Sequence, residues 1–486
     1  MRDVVVLLPG ITGSVLQKDG KDLWALSGQA FLEFAKRIGA SLQDLILKGD
    51  DPELDDLGDG IKATRLVQDA HFIPGLAKID GYTAVAERLK REFNLVPGSI
   101  DSNQPANYFE LPYDWRRDNR VAARQLERLI QQKLPIWQEF SGAKTAKVIL
   151  IAHSMGGLIA RYYLEVLGGW KTCRALITFG TPYRGSVNSL NFLANGYKKS
   201  FLDLTEVMRS FTSVYQLLPI YEMVNVDGQY RRIADPDLTI DNVDREKAEN
   251  ALKFHREIEA AQLVNAQDVQ YQNNSLTVPY VGTEQKTFQS AVLTDGKLTV
   301  SLELPKTVPN QLNSGDGTVP RVSASPIEFD KEPKLRFFSR YIAERHGSIQ
   351  NNVTVLIDLL YSLQTLQVID KEPVRGDLAQ TAISLELDDL YLKEEPIIIK
   401  AVLRGRFPSS IRANLAIEAI IEPVGRFIEP MSRLGAVYHA TFQEQDEQWF
   451  LEINDFKPGL YRIEVKTNQV GGAFPSPVHE LFEVAG

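Results

Sequence analysis

The stretch ILIAHSMGGLIARYYLE, residues 149–165, decides how the rest of the chain is read. An apolar run, Val148 to Ala152, meets His153-Ser154-Met155-Gly156-Gly157 and then a helix-like pattern. A serine between a buried-looking strand and a helix, among small residues, fits two readings. It is a tight turn that happens to use glycines, or a nucleophile elbow, where the sharp turn forces the hydroxyl outward. The pattern is small-x-Ser-x-Gly, with Ala152 where the first glycine usually stands. Small residues are needed because strand and helix pack so closely there.

A serine nucleophile needs a base and an acid that orients the base. In a doubly wound hydrolase they follow in the order serine, acid, histidine. There are six histidines. His153 adjoins the serine within the elbow and cannot face it. His71 and His255 precede any acid downstream of residues 184–275, and His439 and His479 lie in a C-terminal region of different texture. His346, in AERHGSIQNN, follows the apolar run KLRFF and opens a helical pattern, so it is the expected base. Asp316, in NSGDGTVPR, precedes it by 30 residues, and Gly315 and Gly317 allow a tight exposed bend. Asp295-Gly296 reads better as a hairpin turn and Asp330 as solvated, which leaves Asp316 as the expected acid. An oxyanion hole needs two backbone N–H groups. Met155, after the nucleophile, supplies one. The loop after the first strand, LLPGITGS, supplies the other, and the turn at Pro9-Gly10 points to Ile11.

The 486 residues are too many for one compact core, so two or more domains are expected. Hydrophobic and charged contents of 44% and 24% mark a globular chain. A net charge of -9 argues against a nucleic-acid partner, which needs a basic field, and against strong electrostatic docking on anionic lipid. The single cysteine, Cys173, excludes an intrachain disulfide and reads as a small buried hydrophobe. At the N-terminus, Asp3 balances the charge and Pro9-Gly10 cuts the apolar run, so no signal peptide is read. No charge-free apolar stretch of about 18 residues exists, so no transmembrane segment is expected. The expected location is cytoplasmic, with peripheral contact to a membrane surface, and signal-less export is the alternative.

The first ~370 residues alternate short apolar runs with helical patterns. VVVLL (4–8), KVILIA (147–152), RALITFG (174–180), TVPYVGT (277–283) and KLRFF (334–338) read as buried strands. Helices are expected at 82–93, 120–139, 157–167 and 348–364. Such an alternation indicates a parallel sheet covered on both faces. Residues 184–275 break the rhythm with mostly helical patterns and read as a cap. Residues 284–312 read as an inserted hairpin around Asp295-Gly296. After KEPVRGD, 371–377, short runs separated by turn residues give the pattern of an antiparallel sandwich.

LPGITGSVL, LPYDWRRD, AHSMGG, FGTPYRGS, SVYQLLP, GDGTVP and RHGSI occur in that order. Together they resemble the lecithin:cholesterol acyltransferase-like family of α/β-hydrolases, which includes a lysosomal phospholipase and phospholipid:diacylglycerol acyltransferases. The resemblance implies an acyl-enzyme mechanism on lipid esters. It assigns Ser154, Asp316 and His346 as nucleophile, acid and base, and Ile11 and Met155 to the oxyanion hole. Tyr113-Asp114-Trp115-Arg116 matches a family signature near the active-site rim, with a structural role or one in acyl-chain placement. The cysteines of the secreted relatives are absent, and the insertion at 284–312 and the region after 371 have no counterpart in the family pattern.

The acidic run DDPELDDLGDG, 50–60, lacks the glycine and glutamate of an EF-hand loop and reads as solvated. Phe201, Leu204, Val207, Met208 and Phe211 keep helical spacing, as core or as an acyl groove. Residues 31–46, FLEFAKRIGASLQDLI, form an amphipathic face that packs on the core or lies on lipid, with Phe34 at its centre. The sequence thus predicts an α/β-hydrolase fold with a mostly parallel sheet and helical cap over 1–370 and an Ig-like all-β sandwich over 371–486. It predicts a serine acyl hydrolase or O-acyltransferase on lipid esters, with Trp115, Phe34, Leu204 and Met208 as substrate contacts. The alternatives are a soluble carboxylesterase or amidase and a catalytically silent lipid- or protein-binding scaffold. No metal or organic cofactor is expected, because the chemistry is proton transfer plus oxyanion stabilisation.

Overall fold

The computed structural model describes residues 1–24, 44–68, 71–73, 77–199, 202–274, 276–368, 382–404, 415–424, 437–445, 448–454, 456–468, 475 and 477–485. Phe34 and most of the 31–46 stretch lie outside them, as does the expected domain boundary near 370.

Strand Val4–Leu8 shows why the early runs are almost wholly apolar. Val4, Val6 and Leu8 enter one core, while Val5 and Leu7 enter the core on the other side of the sheet. Strand Val148–His153 alternates in the same way, with Leu150 and Ala152 on one face and Ile149 and Ile151 on the other. A sheet covered on both faces needs apolar side chains at every position. Six strands line up in the order Arg340–Ile342, Leu276–Gly282, Cys173–Phe179, Val148–His153, Val4–Leu8, Tyr108–Glu110, all parallel. From Val4–Leu8 the chain runs out to the Tyr108–Glu110 edge, then returns to Val148–His153 and builds the other way. The switch point lies between those two central strands, where an open parallel sheet places its ligand crevice. This is the α/β-hydrolase fold.

Helices Thr83–Phe93, Asn119–Ser141, Met155–Glu165 and Val353–Val368 stand close to their expected positions. One expected strand does not. Pro333–Arg336, within the KLRFF region, is a short helix, and the edge strand is Arg340–Ile342. The strand was hidden because it carries Arg340, buried against Asp358 at 3.3 Å, while Phe337 of the apolar run stays in solvent.

The cap contains helices Val187–Asn195 and Arg245–Asn265, but also strands Val224–Val226 and Gln229–Arg231. These join the hairpin Ser290–Thr294 and Lys297–Ser301 in one four-stranded sheet, through Val224 beside Ala291. The hairpin turns at Asp295 and Gly296, both with positive φ, as a tight two-residue loop requires.

In the C-terminal region, strands Ala382–Glu386, Ile397–Arg404, Gln448–Ile453 and Gln443–Gln445 form one sheet. Strands Leu390–Leu392, Val478–Ala485, Gly459–Thr467, Ile417–Pro423 and Tyr438–Thr441 form the other. Ile399 and Leu451 from the first meet Ile421, Ile463 and Phe482 from the second in a shared core, which makes the pair a sandwich. Glu483, between Phe482 and Val484 of that core, faces the other side of its sheet, where it is buried and neither carboxyl oxygen has a hydrogen-bond partner among the described residues. Burial pushes its carboxyl up to about 8. The folded state therefore holds this proton more tightly than the unfolded chain. Stability is fully present below the unfolded carboxyl range and is lost as pH rises toward about 8. Glu483→Gln is expected to raise the melting temperature by several degrees at pH 9 and to change it little at pH 4. An equal effect at both pH values in thermal unfolding would contradict this account.

Candidate active site

Ser154 stands between strand Val148–His153 and helix Met155–Glu165 with φ 52° and ψ -125°. Few residues with a side chain adopt such a backbone, and those that do cluster at functional sites. Three hydrogen bonds hold the turn. Ser154 N donates to Phe179 O at 2.8 Å, and Ser154 O accepts from Gly157 N at 3.0 Å and from Thr181 Oγ1 at 2.9 Å. The glycines are steric necessities. A Cβ on Gly156 would stand 2.4 Å from Pro9 O, and one on Gly157 would stand 2.0 Å from Thr181 Oγ1.

The turn brings three expected residues together. His346 Nε2 lies 2.9 Å from Ser154 Oγ, and His346 Nδ1 lies 2.8 Å from Asp316 Oδ2. With Asp316 ionised and accepting, Nδ1 carries the proton and Nε2 is free to accept from the serine. The other carboxyl oxygen, Oδ1, accepts from Thr318 N at 2.9 Å and Val319 N at 2.6 Å, which fixes its plane. His346 N donates to Asp316 O at 2.9 Å, tying the two loops together. Two further glycines make room. Gly180 ends strand Cys173–Phe179 at φ 55°, and a Cβ there would meet Asp316 Oδ2 and His346 Nδ1 at 2.9 Å each. A Cβ on Gly282 would lie 2.4 Å from Asp316 Cβ. Sequence reasoning passed over both, although a glycine at the carboxyl end of a sheet strand was the signal.

Ile11 follows the Pro9-Gly10 turn, and Gly10 packs so tightly on the elbow that a Cβ would stand 2.8 Å from Ser154 Cβ. Among the described residues, the N–H groups of Ile11 and Met155 make no hydrogen bond to protein. Trp115 is fully buried, donates Nε1 to Ser14 O at 2.9 Å and meets Phe211 edge-on at 5.5 Å. Leu204 and Met208 are buried in the same core as Trp115, Ile11 and Met155. A cleft of about 270 Å³ opens beside the acid and base, lined in part by Phe192, Phe288, Asp316, Arg345 and His346.

Sequence reasoning also missed Tyr82. Its hydroxyl accepts from Gly10 N at 2.8 Å and lies 3.0 Å from His153 Nδ1. His153 Nε2 lies 3.0 Å from His346 O, a carbonyl that can only accept, so Nε2 carries the proton and Nδ1 accepts from Tyr82. Burial pushes His153 down to about 3, helped by the neighbouring His346, so the ring is neutral at any working pH. A neutral relay thus joins the Ile11 loop to the backbone of the base.

The acidic run 50–60 is exposed along most of its length, as a solvated loop should be, and is anchored by arginines. Arg117 donates to the backbone oxygens of Asp51, Leu54 and Asp55 at 2.8 to 2.9 Å and pairs with Asp50 at 3.0 Å. Arg116 bridges Asp59 and Asp114. The arginines of LPYDWRRD therefore gather this loop.

The fold places a Ser–His–Asp hydrogen-bonded chain at the switch point of an α/β-hydrolase sheet. The profile of the lecithin:cholesterol acyltransferase family matches residues 78–303, just under half of the chain. The chain resembles this family across that span, which holds Ser154; Asp316 and His346 lie beyond it. Lysosomal phospholipase A and acyltransferase of Homo sapiens is 33% identical over 119 residues, 22% of this chain and 27% of that protein. Phospholipase A(1) LCAT3 of Arabidopsis thaliana is 26% identical over 271 residues, 46% of this chain and 59% of that protein. The matches thus span less than two thirds of those relatives' own lengths. Among solved structures, a chain of the Tle4-Tli4 complex superposes with TM-score 0.49 at 16% identity, covering 76% of this chain and 99% of that one. None of the described helices is long and apolar enough to cross a membrane.

Tyr82→Phe removes the hydroxyl but keeps the ring. It strands Gly10 N and His153 Nδ1, a cost of about 1–3 kcal/mol for a buried unsatisfied group. Turnover of a soluble ester is expected to fall about tenfold as the Ile11 loop loosens. Unchanged kcat with a lowered melting temperature would reduce the relay to a stability element.

Proposed function

We propose that the chain is a serine acyl hydrolase or acyltransferase acting on lipid esters. The observation that carries this reading is the unbroken chain Ser154 Oγ, His346 Nε2, His346 Nδ1, Asp316 Oδ2, with contacts of 2.9 and 2.8 Å. Ser154 Oγ attacks the ester carbonyl carbon and gives its proton to His346 Nε2. Asp316 holds the ring and stabilises the imidazolium through Nδ1–H. The carbonyl oxygen becomes an oxyanion and accepts from the N–H groups of Ile11 and Met155, which have no protein acceptor. Each such donor contributes a factor of about 10²–10³ to turnover. Collapse expels the alcohol, protonated by His346, and leaves the acyl group on Ser154. Water or an acceptor alcohol then gives a proton to His346 and takes the acyl group by the reverse path.

The lipid part of the reading rests on the relatives' names, phospholipase and acyltransferase. We also read the chain as a hydrolase domain to about residue 370 and a sandwich domain beyond it.

Fluorophosphonate labelling and a substrate panel test the proposal together. Wild-type protein is expected to take the label at Ser154 and to release fatty acid from phospholipid vesicles, with transfer to an added long-chain alcohol in its presence. Ser154→Ala is expected to abolish labelling and turnover while leaving thermal unfolding in place. Asp316→Asn should cost a factor of about 10⁴ in kcat, because the amide favours the wrong imidazole tautomer. Labelling of Ser154→Ala at the wild-type rate would overturn the nucleophile. Turnover of dispersed short-chain esters without any on vesicles would make the protein a soluble carboxylesterase.

A further inference from the structure

The loops of both the acid and the base are held by the C-terminal sandwich. Glu344, two residues before His346, is fully buried. Its carboxylate accepts from His479 N at 3.1 Å, lies 3.1 Å from His479 Nδ1 and accepts from Asn352 Nδ2 at 2.9 Å. Arg345, the next residue, forms an ion pair with Glu480 and donates to Leu385 O. His479 and Glu480 belong to strand Val478–Ala485, and Leu385 to strand Ala382–Glu386. After His346, Gly347 O accepts from Asp80 N at 2.8 Å, and Asp80 accepts from Arg462 Nε at 3.0 Å, again from the sandwich.

The acid loop is tied in the same manner. Gln285 N donates to Gly315 O at 3.0 Å, immediately before Asp316. The Gln285 side chain pairs with the sandwich like a strand backbone: Nε2 donates to Ile383 O at 3.0 Å and Oε1 accepts from Leu385 N at 3.1 Å. In contrast, the Lys286–Glu386 pair at 2.9 Å is exposed and touches neither loop. A module attached only as a surface appendage would need contacts of the second kind alone. Here the buried contacts converge on the residues flanking Asp316 and His346.

We propose that the sandwich completes the active site, with His479, Glu480 and Gln285 as positioning residues that set the distance between Asp316, His346 and Ser154. This rests on the reading of those three residues as the reacting groups. The buried geometry is charged as well as directional. Burial alone would push His479 down, but the Glu344 and Glu464 carboxylates outweigh it and hold the imidazole up to about 10, so it is a cation at neutral pH. Arg462, Lys466 and Glu422, from the same sheet, and Asp80 are further charged groups around it. His479 and Glu480, the latter also at the edge of the cleft beside Asp316 and His346, act by fixing the backbone one and two residues before the base, where a shift of about 1 Å costs about a hundredfold in rate.

The test uses the full chain. His479→Ala, Glu480→Gln and, as a control, Lys286→Ala are compared by fluorophosphonate labelling rate, by kcat and KM on a dispersed short-chain ester, and by thermal unfolding. His479→Ala and Glu480→Gln are expected to lose ten- to hundredfold in kcat and labelling rate, with KM within about twofold of wild type and a cooperative transition retained. Lys286→Ala should match wild type. If His479→Ala does not fold, the near-isosteric Glu480→Gln decides alone. Wild-type kcat in both clasp variants overturns the proposal. So does an equal loss in Lys286→Ala, which would show that the sandwich acts only by attachment. The wild-type labelling separates the two readings: an unlabelled wild type defeats the catalytic reading itself, whereas a labelled wild type with equally labelled variants defeats only the clasp.

Discussion

The backbone of Ser154 is the constraint around which the catalytic edge is built. A residue with a side chain at φ 52° and ψ -125° carries strain of order 1–3 kcal/mol, and it persists only where its surroundings over-determine it. The surroundings are the strands themselves. Phe179 O, at the end of the neighbouring strand, receives the Ser154 amide, and Thr181, two residues later, caps its carbonyl. On the other side, the Pro9 carbonyl, just past the first strand, leaves no space for a methyl group on Gly156. The register of three parallel strands is therefore transmitted to one hydroxyl. Loss of that register would not weaken the site gradually, because the same contacts hold the serine, the Ile11 loop and the seat of the base.

Around this edge the protein buries many charges. Arg116 is fully buried between Asp59 and Asp114, and Arg161 lies between Glu165 and Glu328 at 2.8 and 2.6 Å. Removing paired charges from water costs several kcal/mol per ion, and their attraction roughly repays it, so such groups add little net stability. What they add is direction. Arg116 and Arg117 draw the 50–60 loop onto the start of helix Asn119–Ser141, beside Trp115. A hydrophobic core of equal volume would hold the same elements without fixing their orientation.

The fold was legible where burial acts on every residue. Val4–Leu8 and Val148–Ala152 are apolar at each position because both faces of the sheet are covered. Ser154 was legible because its neighbours must be small, and His346 and Asp316 because chain order left few candidates. The edge strand Arg340–Ile342 escaped because its arginine is buried by a partner, Asp358, that sequence cannot pair with it. The cap strands escaped because they are three residues each, and Val224–Val226 gains its partner at Ala291 only across an intervening core strand. Gly180 and Gly282 act through an absent side chain, and their place at strand ends is the trace they leave in the sequence. Tyr82 and His479 act on residues 71 and 135 positions away, so only the folded chain shows their roles. Phe34 lies outside the described residues, and Trp115, Leu204 and Met208 are packed in the core, where Trp115 is bonded to Ser14 O.

The four-stranded sheet that joins Val224–Val226 to Ser290–Thr294 has a mechanical consequence. The cap leaves the hydrolase after strand Cys173–Phe179 and the hairpin leaves it after strand Leu276–Gly282, so they are two separate excursions stitched into one plate. The plate is pinned at both stems, and the strand between the stems is locked into the central sheet. Such a body cannot swing like a flap on a single hinge. It shifts as a unit, and with it move Asn191 and Phe192 on the one stem and Phe288 on the other, the side chains that line the cleft beside Asp316 and His346. The width of that cleft is then a single mechanical variable, set by how the whole plate is seated and not by the rotation of any one loop.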